Sequence, residues 1–311
     1  MASSLALAGV TALCTWLSCL TIAPAVIEWT ADPIAFEIGP VTVRWYGILF
    51  ASGFIVGFMF MRGVFRREGK PDEDLDTLLL YLIVGTIGGA RLGHCFFYHP
   101  MDHLQNPLLV LQFWKGGLAS HGGVIGICIA LWLYRRKRPG QPYLWLLDRL
   151  CVPAILTSAF IRIGNLFNSE IVGRPSDAPW AFVFHRYYNE FIPEETERLL
   201  PRHPTPIYES ASYFLIFVVL MVIYRVSGNL PRRGLPAGIA LTLAFTARFV
   251  IEFFKERQAA HTVDSTLSMG QWLSIPIVLV GLGLIVRALK NEPESPVVEA
   301  TPADPSPAPS E

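Results

Sequence analysis

Residues 150–175 read LCVPAILTSAFIRIGNLFNSEIVGRP, an apolar run that ends in closely spaced polar and charged side chains. A helix of roughly 20 apolar residues is long enough to cross the ~30 Å hydrocarbon core of a bilayer. Seven runs of about this length lie near residues 46–64, 76–97, 116–134, 147–167, 206–226, 234–254 and 270–288. The sequence therefore predicts an all-α polytopic membrane protein with seven core transmembrane helices.

The composition also favours a membrane protein and narrows the function classes. The 311 residues are 52% hydrophobic and 16% charged, with a mean hydropathy of +0.42, whereas soluble domains contain about 25% charged residues. The formal net charge of +0 gives no reason to expect a nucleic-acid partner. The five cysteines lack C-x-x-C spacing, and His99 and His103 have no suitably spaced third ligand. We therefore expect no metal site and no cofactor.

The two terminal segments differ from the region of the seven runs. Residues 4–27 are apolar but lack the basic residues of a secretory signal, which favours an extra uncleaved helix, although the Ala-Pro-Ala at 23–25 resembles a cleavage site. The last residues contain six prolines and five acids but no Lys or Arg, a composition typical of disorder. We divide the chain into an N-terminal extension at 1–30, a membrane domain at 31–290 and a disordered tail at 291–311.

The distribution of Lys and Arg between the loops predicts the orientation of the helices. Fourteen lie in the connections on one side and eight in those on the other, and basic residues are enriched in cytoplasmic loops. The tail at 291–311 then lies in the cytoplasm. The long loop 168–205 lies on the outer side, where we expect it to form a small head.

Four basic side chains lie inside the apolar runs at a similar predicted depth. Arg91, Arg162 and Arg248 lie about six residues from the outward ends of their helices, and His121 about five from the outward start of its own. A rise of about 1.5 Å per residue places all four roughly 8 Å below the outer boundary. Intramembrane charges are costly and commonly functional, although an arginine can also extend to lipid phosphate or pair with an acid.

The phosphate of a phospholipid is the most abundant ligand for arginines at headgroup depth. A guanidinium is planar, always charged and matched to phosphate geometry. If the helix continues beyond Arg162, the following polar residues share its face or flank it: Asn165, Asn168, Ser169, Glu170 and Gly173. A helix cap is the alternative explanation for Asn168 and Gly173. Arg248 and Glu252 are four residues apart, so they form either a simple ion pair or an arginine oriented for an anion.

His121 is the candidate general base. It lies in GGLASHGGVIG, residues 116–126, where five glycines allow a ligand or a neighbouring helix to approach closely. Imidazole, with an unperturbed pKa near 6.5, is the usual general base in enzymes. The alternative is a core histidine that hydrogen-bonds within an apolar helix.

Seven short motifs occur between residues 36 and 290: RWYG (44–47), GGARLG (88–93), GGLASHGG (116–123), RIGNLFNSEIVGR (162–174), RHPTPIYE (202–209), RFVIEFF (248–254) and SMGQWLSIP (268–276). In this order they resemble the phosphatidylglycerol-prolipoprotein diacylglyceryl transferase family of bacterial inner membranes. The 162–174 motif is the most specific of them. Ala244 departs from the family pattern, since some members have Tyr there, and the stretch before about residue 30 has no recognised counterpart.

The resemblance implies a location, a reaction and partners. It implies a multi-pass protein of the bacterial inner membrane with seven transmembrane helices and an active site towards the periplasm. The implied reaction transfers the diacylglyceryl group of phosphatidylglycerol to the lipobox cysteine thiol of a prolipoprotein signal peptide, which forms a thioether and releases glycerol phosphate. Its partners would be phosphatidylglycerol, prolipoproteins and membrane lipids.

The resemblance also implies roles for individual residues. His121 and Tyr46 match catalytic positions, and Arg162 and Arg248 match phosphate-binding arginines that we also expect to act in catalysis. Since a thiol with a pKa near 8.5 needs a base to ionise, His121 is our hypothesis for that base. The further candidates for phosphatidylglycerol binding are Asn165, Asn168, Glu170, Gly173, Glu252 and Arg91.

Two other function classes remain as alternatives to a transferase. A transporter or lipid flippase predicts polar groups near the bilayer midplane and internal repeats, and the sequence shows neither pattern. A non-catalytic membrane scaffold would use its glycines for helix packing, and His121 would then be replaceable.

Overall fold

The computed structural model describes residues 26–97, 101, 105–112, 117, 119–188, 195–226, 232–256 and 267–291. The predictions for an extra N-terminal helix and a disordered tail lie outside the described residues, except at 26–30 and 291. His99 and His103 also lie outside them. Within the predicted extension, Ile27–Trp29 form a strand.

Helices make up most of the described chain. They are α1 (Trp45–Arg67), α2 (Asp72–Phe97), α3 (Ser120–Lys137), α4 (Tyr143–Phe167), α5 (Glu195–Arg198), α6 (Thr205–Val226), α7 (Leu235–Ile251) and α8 (Met269–Lys290), with 3₁₀ turns at Pro107–Leu111 and Glu252–Phe254. Four short strands, which the all-α prediction missed, are β1 (Ile27–Trp29), β2 (Ile34–Ile38), β3 (Val41–Arg44) and β4 (Phe182–Phe184). The protein is therefore mostly helical, with little sheet.

Six of the described helices are long and apolar enough to cross a membrane: α1, α2, α4, α6, α7 with its 3₁₀ turn, and α8. They match six predicted spans to within a few residues, which confirms the prediction of a polytopic membrane protein. The span predicted at 116–134 corresponds to α3, which is not one of the six. This helix begins only at Ser120, and Arg135, Arg136 and Lys137 occupy its last turn, so its apolar part is shorter than predicted.

The described chain divides into two compact units. The first comprises the described residues within 26–50, 159–212 and 247–274. In it, β1 pairs in parallel with β4, and β2 and β3 form an antiparallel hairpin. Its buried apolar cluster consists of Leu166, Val172, Phe182, Phe184 and Tyr187. The indole of Trp29 joins β1 to the end of α4 by donating to the carbonyl of Leu166 at 2.9 Å.

A buried arginine fixes the loop that carries β4. Arg202 is only 1% exposed, and its Nη1 donates to Glu256 Oε2 at 2.7 Å and to the Gly173 carbonyl at 3.3 Å. Its Nη2 donates to the Glu197 carbonyl at 2.9 Å. Buried charges are tolerated when they are paired and hydrogen-bonded in this way. Arg202 therefore holds the segment at Gly173 beside the chain that follows α7.

The second unit comprises the described residues within 51–158, 213–246 and 275–291. Glu68 connects helices in it, since its carboxylate accepts hydrogen bonds from Arg149 Nε and Nη2, both at 3.1 Å, and from Trp145 Nε1 at 2.6 Å. The buried Asp148 caps α7 by accepting from the amides of Gly234 and Ala237 at 2.6 and 3.1 Å. A carboxylate at a helix N-terminus satisfies amides that have no partner within the helix.

Glycines allow α2 and α3 to cross with their backbones in close contact. A Cβ atom added at Gly89 would lie 2.5 Å from the Gly122 carbonyl oxygen and 2.7 Å from the Gly126 Cα atom. A Cβ atom added at Gly126 would lie 2.0 Å from the Gly85 carbonyl oxygen. Small residues permit such close helix packing in membranes. The glycines on these two helices therefore have a packing role, in addition to any role beside His121.

We expect Gly89→Ala to destabilise the protein and Gly88→Ala to leave it nearly unchanged. The added methyl group at position 89 meets backbone atoms of the neighbouring helix, which cannot move aside, whereas nothing lies within 4 Å at position 88. Overpacking costs about 1–3 kcal/mol. Thermal unfolding of the two variants in the same detergent, followed by tryptophan fluorescence, measures the difference. Equal unfolding midpoints would show that α2 and α3 do not depend on this contact.

Candidate active site

The helix that carries Arg162 and Asn165 does not continue through the rest of the polar segment. Helix α4 ends at Phe167, and Ser169 and Ile171 adopt positive φ angles of 55° and 56°. The prediction that Ser169 and Gly173 share a helical face with Arg162 is therefore wrong. A β-branched residue with positive φ is strained, at a cost of about 1–3 kcal/mol. Such strain concentrates at functional sites, so this turn is a candidate functional site.

Arg162 is held in place by two side chains. Its Nε lies 2.9 Å from Glu209 Oε2, as an ion pair without hydrogen-bond alignment. Its Nη1 donates to Asn165 Oδ1 at 3.2 Å. The Arg162 side chain is 14% exposed and that of Glu209 is fully buried. These contacts leave Nη2 without a recorded partner among the described residues, so one edge of the guanidinium is available to an anion.

Glu170 orients the two asparagines of the signature segment. Its Oε2 accepts a hydrogen bond from Asn165 Nδ2 at 3.0 Å, and its Oε1 accepts one from Asn168 Nδ2 at 3.1 Å. Asn165 therefore connects the carboxylate of Glu170 to the guanidinium of Arg162. The strained turn brings Glu170 back over the end of α4, where its amide donates to the Asn165 carbonyl at 2.9 Å.

Glu209 binds a second cation as well as Arg162. Lys255 Nζ lies 2.9 Å from Glu209 Oε1 and 3.2 Å from Glu252 Oε2, and Lys255 is 8% exposed. A buried carboxylate is stable when opposite charges surround it. The recorded partner of Glu252 is thus Lys255, whereas the sequence suggested Arg248. The reason is that α7 ends at Ile251, so Glu252 lies in a 3₁₀ turn rather than one helical turn beyond Arg248.

Arg248 lies three residues before the end of α7 and is partly buried. Among the described residues, no hydrogen bond or ion pair is recorded for its guanidinium. Arg162 and Arg248 therefore differ, because side chains of the described residues fix the first but not the second.

Two glycines let other chain segments approach this cluster. A Cβ atom added at Gly164 would lie 2.8 Å from Tyr46 Cδ2, so the aromatic ring of Tyr46 packs directly on α4. A Cβ atom added at Gly173 would lie 2.5 Å from the His203 Cβ atom and 2.7 Å from the Phe254 carbonyl oxygen. The structure thus gives Gly173 a packing reason, and it brings Tyr46 next to the turn of α4 that carries Arg162.

A small aromatic group surrounds His203 beside Gly173. His203 Nδ1 lies 3.1 Å from Tyr208 Oη, and Trp180 Nε1 donates to the same oxygen at 2.8 Å. The ring of Phe254 contacts His203 edge-on, with the ring centroids 5.2 Å apart. Burial lowers the pKa of His203, because the neutral imidazole loses less hydration than the charged one. His203 therefore favours its neutral form in the folded protein.

Arg91 and His121 belong to the second unit. Arg91 is buried, and its Nε, Nη1 and Nη2 donate to the backbone carbonyls of Val110, Gly117 and Leu109 at 3.1, 3.2 and 2.6 Å. The guanidinium thus stabilises the segment before α3. A role for Arg91 in phosphatidylglycerol binding stays a prediction. His121 is exposed on the first turn of α3, rather than five residues inside a helix, and its ring packs edge-on against a phenylalanine of α2 at 5.1 Å.

Sequence reasoning missed three residues of the cluster: Glu209, Lys255 and Gly164. Glu209 lies inside the apolar run 206–226, so the criterion that selected the intramembrane arginines would have found it if acids had been included. Lys255 lies just beyond the apolar run 234–254, so it contributes only to the count of basic loop residues. The role of Gly164 depends on contact with a distant residue, which no local pattern reveals.

Comparison with known proteins places the chain in a family. Residues 33–287 match the family model described as prolipoprotein diacylglyceryl transferase. The chain belongs to the prolipoprotein diacylglyceryl transferase family. Three relatives called phosphatidylglycerol–prolipoprotein diacylglyceryl transferase support this assignment. The protein of Chloroherpeton thalassium is 50% identical over 85% of this chain and 95% of its own length. The proteins of Tolumonas auensis and Porphyromonas gingivalis are 47% and 45% identical, over 85% and 86% of this chain and 98% and 96% of their own lengths.

In this diacylglyceryl transferase family member, we expect Glu209→Gln to destabilise the fold strongly. The change leaves Arg162 and Lys255 in a buried environment without their shared carboxylate, and breaking a buried ion pair in this way costs about 3–5 kcal/mol. The control is Glu28→Gln, which changes an exposed hydrogen bond with His185 and should cost about 0–1 kcal/mol. Unfolding in detergent compares the two, and a Glu209→Gln protein as stable as the control would contradict the role given to Glu209.

Proposed function

We propose that this protein transfers the diacylglyceryl group of phosphatidylglycerol to the lipobox cysteine thiol of prolipoproteins. The observation that carries the proposal is the fixed guanidinium of Arg162, whose Nη2 has no partner among the described residues beside the signature segment. Preorganised donors of this kind stabilise the charge that develops on a leaving phosphate oxygen. The names of the relatives point to the same two substrates.

In the proposed reaction, the substrate thiolate attacks the glycerol carbon that carries the phosphate. A carbon–sulfur bond forms as the carbon–oxygen bond breaks, and glycerol phosphate leaves with the electron pair. His121 takes the thiol proton, and Arg162 and Arg248 bind the phosphate. Asn165, Asn168, Glu170 and Glu252 bind the lipid headgroup or orient the arginines, and Tyr46 acts beside them. The nucleophile belongs to the substrate, which agrees with a chain that has no cysteine motif of its own.

We further propose a multi-pass arrangement in the bacterial inner membrane, with seven transmembrane helices, a periplasmic head and active site, and a cytoplasmic C-terminus. The excess of Lys and Arg on one set of connections supports this orientation. Helix α3 would be the seventh span, with its last-turn basic residues at the cytoplasmic surface.

Purified protein incubated with phosphatidylglycerol and a lipobox peptide tests the function. We expect the peptide to gain the mass of a diacylglyceryl group as a thioether, with release of glycerol phosphate. Unmodified peptide under conditions in which a curated relative modifies it would contradict the proposal. A transporter or a scaffold would leave the peptide unmodified.

We expect His121→Gln to reduce the transfer rate by about 10²–10⁴-fold, the usual contribution of a general base. Binding of phosphatidylglycerol should persist, because the arginines remain. The control is His185→Gln, which changes an exposed histidine paired with Glu28 and should keep the wild-type rate. A wild-type rate in His121→Gln would remove His121 from the mechanism.

A further inference from the structure

The hairpin of β2 and β3 is amphipathic. Its register pairs Ile38 with Val41, Glu37 with Thr42, and Phe36 with Val43. Cross-strand partners share a face, and successive residues along a strand point to opposite faces. One face therefore carries Phe36, Ile38, Val41 and Val43, while the other carries Glu37 and Thr42, whose side chains lie 3.5 Å apart.

The apolar face of the hairpin is open. Phe36, Ile38 and Val41 are 49%, 66% and 58% exposed. Gly39, with a φ of 58°, and Pro40 form the two-residue turn between the strands, and glycine at the first position is typical of a type II′ turn. A two-stranded hairpin is marginally stable in water unless another surface covers its apolar face. The hairpin therefore needs an apolar neighbour.

The chain leads directly from this hairpin into a membrane-spanning helix. Strand β3 ends at Arg44 and α1 begins at Trp45, whose amide donates to the Pro33 carbonyl at 3.0 Å. Trp45 is 38% exposed, and Arg44 is also exposed. Tryptophan and arginine are favoured at the boundary between lipid and water. The base of the hairpin thus lies at the level of the lipid headgroups.

We propose that this hairpin lies in the membrane interface, with Phe36, Ile38 and Val41 against lipid and the face of Glu37 and Thr42 towards water. A rise of about 3.3 Å per residue keeps the tip within roughly 15 Å of the start of α1, so the hairpin reaches lipid by lying along the surface. Amphipathic elements beside a span bind the interface through such an apolar face. The hairpin then fixes the depth of Tyr46, the second residue of α1.

Site-specific fluorescence quenching tests this proposal on the full-length protein in phosphatidylcholine–phosphatidylglycerol vesicles. The variants Ile38→Cys and Val41→Cys place an environment-sensitive fluorophore on the apolar face, and Thr42→Cys places it on the polar face as a matched control. The labelled parent protein gives the background of the native cysteines. We expect nitroxide lipids to quench positions 38 and 41 at least threefold more than position 42, and aqueous iodide to quench position 42 more.

Three results would overturn the proposal. Iodide quenching at 38 and 41 equal to that at 42 would show a face in water. Protection of positions 38 and 41 from both quenchers would show a protein segment over the face, such as residues 1–25. Lipid quenching that appears only at a low protein-to-lipid ratio would assign the face to a second copy, and lipid quenching that is lost when a lipobox peptide binds would assign it to the substrate. Two labelled positions on the apolar face allow the test even if one variant fails to fold.

Discussion

The buried carboxylate of Glu209 is the interaction on which the candidate active site depends. It lies between Arg162 and Lys255, at 2.9 Å from each; Glu209 and Lys255 are buried, and Arg162 is partly exposed. The pairing keeps two cations in a part of the protein where an isolated charge would be costly. It also fixes the direction of the Arg162 guanidinium. A phosphate can then bind to an arginine whose conformational entropy has already been lost on folding.

The signature segment adds a second constraint to this arrangement. Ser169 and Ile171 have positive φ angles, so the chain reverses direction immediately after α4. The reversal lets Glu170 accept hydrogen bonds from both Asn165 and Asn168. The asparagines and Glu170 thus support Arg162 through a connected set of hydrogen bonds. Gly173 continues the same segment into close contact with His203, which no larger residue would permit.

The sequence predicted the elements that the bilayer dictates and missed those that depend on distant contacts. Six of the seven predicted spans match helices long enough to cross a membrane, because such a helix requires a long apolar run, a local property. The strands at 27–29 and 182–184 are too short to show a pattern, and they pair across more than 150 residues. The turn at Ser169 and Ile171 contains no glycine at either strained position, so no residue type in the sequence indicated a turn there. The hydrogen bonds from Arg91 to the backbone carbonyls of Val110 and Leu109 could not be predicted, because any sequence provides such carbonyls.

Phosphate binding at this site requires the forked geometry of Arg162 and not only its charge. Lys at this position keeps the charge, but a single ammonium cannot contact Glu209, Asn165 and a lipid phosphate in the same planar arrangement. The most direct test measures phosphatidylglycerol binding to Arg162→Lys by native mass spectrometry, with Arg186→Lys, at an exposed ion pair with Asp32, as the control. We expect at least tenfold weaker binding for Arg162→Lys and unchanged binding for the control. Equal binding by the two variants would contradict this requirement.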